Sequence, residues 1–93
     1  MTVFLITYDL NKPGQDYDKI LKVIKSYDFT MLCESSYLVE TDDVGTLTKD
    51  IYTSFDKSTD AYIFPIENPI YFDFGSKKCS DWLENHLPKP QPR

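Results

Sequence analysis

Few side chains in this sequence have the type and spacing that catalysis requires. His86 is the single histidine, so a serine–histidine or cysteine–histidine pair would have to use it. Because it lies beside a proline-rich tail, we expect a surface or half-buried residue.

Cys33 and Cys79 form no CxxC pair and have no metal-ligand spacing, so we expect both to be reduced and packed. The absence of P-loop, dinucleotide-binding, zinc-site and GxSxG motifs argues against most cofactor chemistry.

Lysines on the first predicted helix are the candidate contacts to a phosphate backbone. Lys19, Lys22 and Lys25 recur every three residues, and Lys12 precedes them in a loop. An ordinary solvated helix face has the same pattern, and Asp18 is placed to pair with Lys22 across one helical turn. The chain has 10 Lys plus Arg against 15 Asp plus Glu, a net charge of −5. Because nucleic-acid affinity comes mainly from neutralised phosphates, this balance disfavours a nucleic-acid partner.

Residue patterns predict the order strand, helix, strand, strand, helix, strand. Four segments have strand composition: 3–9, 29–34, 36–41 and 61–66. The first is apolar almost throughout, which is typical of a central strand buried on both faces. Apolar residues at helical spacing predict a first helix from Asp16 to near Asp28 and a second from Val44 to Phe55, with 41–43 (TDD) as its N-terminal cap.

This order predicts an α+β fold, a ferredoxin-like βαββαβ sandwich in which two helices cover one face of an antiparallel sheet. The core occupies 1–67. A C-terminal appendage, an aromatic connector loop or edge strand followed by a short helix capped by Ser76, occupies 68–87, and 88–93 is a disordered tail. Pro65 places its strand at an edge or a bulge. The aromatic residues of the appendage cover the sheet or a dimer interface, or form a base-stacking platform. The second sheet face needs a cover from the C-terminal segment or from a second subunit, and we expect a symmetric homodimer.

Two segments resemble a known protein family. The first strand ends in 6–9 (ITYD) before a polar loop, and the predicted hairpin contains 34–39 (ESSYLV). Together they resemble the small CRISPR-associated subunit of spacer acquisition, the second of the Cas proteins, whose members have a ferredoxin-like fold. Segment 8–17 (YDLNKPGQDY) resembles more closely still the small proteins catalogued as the SinR family, which have no settled activity. The resemblance covers residues 2–67.

The resemblance implies a metal site at Asp9. In the related dimers the corresponding aspartates face each other and hold a divalent cation, Mg²⁺ or Mn²⁺, which activates water for attack on a phosphodiester. Asp9 would then be both metal ligand and catalytic residue. A structural role is also open, in which Asp9 accepts hydrogen bonds from its own loop. Family members that bind nucleic acid carry arginines along the first helix, where this chain has lysines.

Two functions remain open from the sequence. The first is a non-catalytic interaction or scaffolding module that engages a protein partner through its dimer surface or a sheet edge. The alternative is a divalent-metal-dependent nuclease acting on RNA or DNA, so whether the chain is an enzyme stays open. Apart from Mg²⁺ or Mn²⁺, no cofactor is indicated. The sequence has no signal peptide and no apolar run of ~20 residues, so we expect a cytoplasmic protein without a membrane partner.

Overall fold

Four strands and three helices follow the chain in the computed structural model, which describes residues 2–9, 17–54, 60–67 and 74–87. Their bounds are β1 Thr2–Tyr8, α1 Asp18–Lys25, β2 Asp28–Cys33, β3 Ser36–Thr41, α2 Val44–Ser54, β4 Ala61–Ile66 and α3 Lys77–His86. The predicted α+β class and the predicted element order are confirmed. The first helix ends earlier than predicted, because Asp28 already belongs to β2. The aromatic connector 68–73 and the tail 88–93 lie outside the described residues.

The first strand, β1, lies inside an antiparallel sheet with the order β2-β3-β1-β4. It pairs with β3 on one side and with β4 on the other. Its side chains are buried or half-buried along its whole length. Because successive strand residues point to opposite faces, this burial means that both faces of the sheet are covered at β1. The prediction of a central strand is confirmed.

Helices α1 and α2 cover one face of the sheet. The main core combines alternate residues of β1 and β3 with one side of each helix: Phe4, Ile6, Tyr8, Tyr37, Val39, Ile20, Ile24, Leu47 and Ile51. The carboxylate of Asp43 precedes α2 and accepts hydrogen bonds from the N–H and the hydroxyl of Thr46, at 3.0 and 2.7 Å. This is the predicted cap, and it satisfies a backbone donor of the first helical turn.

Helix α3 packs on the opposite face. A second core joins it to β1 and β3: Val3, Leu38, Cys79, Leu83 and Leu87. The Ser76 hydroxyl accepts a hydrogen bond from the N–H of Cys79 at 3.2 Å, as predicted for a helix cap. The C-terminal segment therefore supplies part of the cover that the second sheet face needs. Within the described ranges, no helix has both the length and the apolarity needed to cross a membrane.

The two cysteines are free thiols in different surroundings. Cys79 is buried in the second core, whereas Cys33 is exposed at the end of β2. The prediction that both are packed is therefore wrong for Cys33. Met31, Leu32 and Cys33 are exposed together at the end of β2, an outer strand whose pairing with β3 shifts register between Met31 and Cys33.

Leu47 tests the packing of α2 on the sheet. None of its surface is exposed (0%), so we expect Leu47→Ala to lower the free energy of unfolding by about 2–5 kcal/mol. Val44→Ala on the same helix is the matched control, because Val44 is 46% exposed; its truncation should change the stability by less than about 0.5 kcal/mol. Urea titrations followed by circular dichroism measure both variants. Equal losses would contradict this packing.

Candidate functional site

The outer strand β4 presents two aromatic side chains to solvent. Tyr62 and Phe64 are 55% and 50% exposed, and their rings stack with centroids 6.4 Å apart. Both point to the sheet face on which α3 lies, since they are opposite Thr7 and Leu5 of β1 in the ladder. Large aromatic side chains are enriched at protein interfaces, so this pair marks a candidate contact surface.

Strand β4 also has an outer backbone edge that meets no other strand of the described residues. The carbonyl oxygen of Asp60 accepts a hydrogen bond from the N–H of Asp9 at 2.9 Å, so these two residues form a hydrogen-bonded pair. In an antiparallel ladder such pairs recur at every second residue. Even-numbered residues of β4 direct their backbone groups toward β1, and the odd-numbered ones, Ala61, Ile63 and Pro65, direct theirs outward. Because proline has no N–H, Pro65 removes a donor from the outer edge and leaves the ladder with β1 intact. Of the two predicted positions, an edge or a bulge, the structure shows the edge.

Asp9, the metal ligand implied by the family resemblance, lies half-buried directly after β1. Its carbonyl oxygen accepts a hydrogen bond from the Tyr17 hydroxyl at 2.6 Å. Tyr17 in turn stacks on Tyr8, with ring centroids 5.6 Å apart. The backbone at Asp9 is therefore held in place by the end of the sheet and by α1. The group of potential metal ligands found within the described ranges does not include Asp9, and its metal-binding and catalytic roles stay predictions.

The lysines predicted to contact nucleic acid lie on the solvent side of α1. Lys19, Lys22 and Lys25 are all exposed, while the opposite side of the helix packs in the main core. This placement fits a solvated face and a phosphate contact equally well, so the nucleic-acid role stays a prediction. Lys12 lies outside the described residues.

A polar cluster joins α3 to the start of β2, at the sheet edge opposite β4. Trp82 Nε1 donates to Asp28 Oδ1 at 2.9 Å, and His86 Nε2 lies 2.5 Å from Asp28 Oδ2. The rings of Trp82 and His86 stack with centroids 3.8 Å apart. Glu40 is opposite Asp28 in the β2–β3 ladder. Ligand atoms of Asp28, Glu40 and His86 lie within 4.8 Å of one another, and we call these three residues and Trp82 the Asp28 cluster.

The hydrogen bonds of His86 favour its charged form. Nδ1 lies 2.7 Å from the carbonyl oxygen of Trp82, which can only accept, so this nitrogen carries a proton. Nε2 faces the Asp28 carboxylate, and a second proton there completes an ion pair. Partial burial is the largest single effect on the pKa of His86 and lowers it. The hydrogen bonds to Asp28 and Trp82 and the charges of Asp28 and Glu40 together outweigh burial and raise the pKa above its usual value.

The same contact acts on Asp28. The hydrogen bond from His86 is the largest effect on the pKa of this carboxyl group and lowers it, and the hydrogen bond from Trp82 acts in the same direction. Partial burial opposes both but does not cancel them. Each partner therefore stabilises the charged form of the other, and the cluster ties α3 to the sheet through charge-assisted hydrogen bonds.

No pattern in the sequence predicts this cluster, whereas the expected surface or half-buried position of His86 is confirmed. His86 and Asp28 are 58 residues apart in the chain, and no motif connects them. The sequence signal was the spacing of Trp82 and His86, which are one helical turn apart and therefore share a side of α3. The position of Asp28 opposite Glu40 requires the register of the β2–β3 hairpin.

The Asp28–His86 ion pair predicts a pH dependence of stability in metal-free buffer. Because the pKa of His86 is raised from 6.5, its contribution is complete below this value and is lost as the pH rises through the folded-state pKa. The pKa of Asp28 is lowered from 3.8, so its contribution is present above that value and is lost as the pH falls through the lowered pKa.

We expect the folded chain to lose up to about 1 kcal/mol of unfolding free energy through this pair as the pH rises from 6.5 through the raised folded-state pKa of His86. The loss is small because the Asp28 side chain is 55% exposed and solvent screens the interaction. Urea titrations across this pH range measure it. His86→Gln should flatten the profile, and an unchanged slope in this variant would contradict the assignment.

Cys33 is the thiol that we expect to react. A hydrogen bond from the backbone N–H of Ser35, followed by one from the hydroxyl of Ser36, lowers the pKa of this exposed thiol. In a short pulse of iodoacetamide on the folded chain, Cys33 should be alkylated at least about tenfold faster than the buried Cys79. Peptide mass spectrometry measures both sites, and Ser36→Ala should slow the reaction of Cys33. Equal rates at the two cysteines would contradict this expectation.

Comparisons with models of known protein families, with curated proteins and with solved structures found no match to this chain. The resemblance to the CRISPR-associated subunit and to the SinR-family proteins therefore rests on the quoted segments alone. The function has to be inferred from the physical features of the chain, which are the edge of β4, Asp9 and the Asp28 cluster.

Proposed function

We propose that the chain is a non-catalytic interaction module that pairs with a second copy of itself through the outer edge of β4. The observation that supports this proposal is the exposed, stacked pair Tyr62–Phe64 on an edge strand. Association removes part of these rings from water and gives the outward backbone groups of β4 hydrogen-bond partners. Both gains act at the same place, which favours edge-to-edge pairing.

The charge distribution supports the same surface. The chain has a net charge of −5, yet segment 61–66 (AYIFPI) contains no charged residue. Natural edge strands are commonly protected from pairing by charged side chains, prolines or bulges. In β4 the one such device is Pro65, near the end of the strand. Two copies can therefore pair along this stretch without placing like charges opposite each other.

The alternation of the ladder is compatible with an antiparallel pairing of two β4 strands through Ala61 and Ile63. In an antiparallel arrangement about a twofold axis at Tyr62, Ala61 of each chain exchanges both of its backbone hydrogen bonds with Ile63 of the other chain. Pro65 lies beyond this stretch, and its missing N–H ends the pairing there. The four rings contributed by Tyr62 and Phe64 then lie on one face of a continuous sheet.

A ferredoxin-like fold is part of the proposal. The antiparallel strand order β2-β3-β1-β4, the chain order of the first six elements and the packing of α1 and α2 on one face support it. In this sandwich β4 is an outer strand, so that pairing at its edge leaves the main core unchanged.

The alternative function, a nuclease with one cation between two Asp9 carboxylates, requires a different dimer. Asp9 is the hydrogen-bonded partner of Asp60 in the ladder. With strands about 4.8 Å apart and a rise of about 3.4 Å per residue, the two Asp9 backbones lie about 20 Å apart across the proposed interface. One cation with oxygen ligands at about 2.0–2.6 Å cannot bridge them. Edge pairing therefore favours the non-catalytic function.

Replacement of the two rings tests the proposal. The double variant Tyr62→Ser/Phe64→Ser should raise the dissociation constant of the dimer at least about tenfold, because interface aromatic residues carry much of the binding free energy. Tyr52→Ser is the matched control, since Tyr52 is 71% exposed but lies on α2, and it should leave the constant unchanged. Sedimentation velocity over a dilution series measures all three proteins.

A second variant separates backbone pairing from ring burial. Ala61→Pro removes one outward N–H at the first position of β4, where proline preserves the ladder with β1, and it should also weaken the dimer. A wild-type chain that stays monomeric at millimolar concentration would contradict the proposal. Cleavage of RNA or DNA with Mg²⁺ that is abolished by Asp9→Ala would favour the nuclease instead.

A further inference from the structure

We propose that Asp28, Glu40 and His86 form a binding site for one Zn²⁺ ion, which fastens α3 to the β2 edge of the sheet. This site lies at the edge opposite β4. It is therefore independent of the interaction surface proposed above, and either proposal can fail without the other.

The three side chains bring their ligand atoms close enough together for one ion to contact all of them after a small movement. Their ligand atoms lie within 4.8 Å of one another. Ligands about 2.0–2.2 Å from a tetrahedral zinc ion are about 3.4 Å apart. The 2.5 Å between His86 Nε2 and Asp28 Oδ2 is shorter than this spacing, and the 55% exposed side chain of Asp28 has room to move outward when an ion enters.

The surroundings orient two of the three ligands. The Nδ1–H of His86 donates to the Trp82 carbonyl oxygen at 2.7 Å, which leaves Nε2 directed at the site. The indole N–H of Trp82 holds Asp28 Oδ1 at 2.9 Å, so that Oδ2 faces His86. The stacked indole ring also limits rotation of the imidazole. Protein zinc sites rely on such outer hydrogen bonds to set the tautomer and orientation of their ligands.

The donor set selects the class of metal. One imidazole nitrogen and two carboxylate oxygens suit Zn²⁺ and similar transition metals, with water completing the coordination, whereas Mg²⁺ prefers oxygen ligands and retains most of its water. The net charge of the three side chains also favours a divalent cation. Two carboxylates and a protonated imidazole sum to −1, while two carboxylates, a neutral imidazole and Zn²⁺ sum to zero. On binding, the Nε2 proton passes to the solvent, and the ion takes its place.

Zinc binding in solution tests the site. We would titrate the full chain carrying Cys33→Ser, which removes the exposed thiol as a competing ligand, with ZnCl₂ by isothermal calorimetry and would follow thermal unfolding in parallel. We expect one ion per chain and a melting temperature that rises with zinc concentration, because the folded state binds the ion. MgCl₂ at the same concentrations should cause neither effect.

Variants in the same background locate the ion. Glu40→Gln and His86→Gln should each weaken zinc binding at least about tenfold. Asp81→Asn is the matched control, because this exposed carboxylate of α3 pairs with Lys77, and it should bind zinc as the parent does. Circular dichroism checks that each variant is folded, and Glu40→Gln keeps the test decisive if His86→Gln does not fold. An absence of saturable binding, or full binding in Glu40→Gln, would overturn the proposal.

Discussion

The burial of β1 on both faces is the constraint on which the rest of this structure depends. Val3 and Ile6 point to opposite faces of the sheet, and both are almost completely buried, at 3% and 0% exposure. A strand of this kind requires cover from two sides, and a chain of 93 residues has few elements to provide it. Two helices lie on one face and α3 on the other. Strands β2 and β4 therefore form the two edges of the sheet. The proposed interaction surface lies at β4, and the proposed metal site lies at β2.

The two edge strands differ in how they meet solvent. Strand β2 begins with a charged residue, Asp28, which Trp82 and His86 of α3 engage. Strand β4 contains no charged residue, and Pro65 is its one residue without a backbone N–H to donate at the outer edge. Charged side chains on an edge discourage pairing with another sheet, whereas an uncharged aromatic edge favours it. The contrast explains why one edge suits a polar or metal-based attachment within the chain, while the other suits association between chains.

Local patterns made most of the fold predictable. The bounds of β3 and β4 and the caps at Asp43 and Ser76 depend on residues a few positions apart, so alternation and capping chemistry were sufficient to find them. The Asp28 cluster depends instead on three separate variables: the register of a hairpin, the placement of α3 on the sheet and the rotation of that helix. None of these can be read from neighbouring residues. The exposed position of Cys33 depends on non-local structure in the same way, since Cys33 lies on an outer strand whose register with β3 shifts beside it.

Trp82 connects the apolar and the polar roles of α3. Part of its side chain packs against the second core, while its indole N–H holds Asp28 and its ring lies on His86. Detachment of α3 would therefore break the polar cluster and expose Val3 and the second face of β1 in the same step. Small domains have net stabilities of only about 5–15 kcal/mol. Binding of a proton or of a metal ion between α3 and β2 would therefore also stabilise the packing of α3 over the central strand β1.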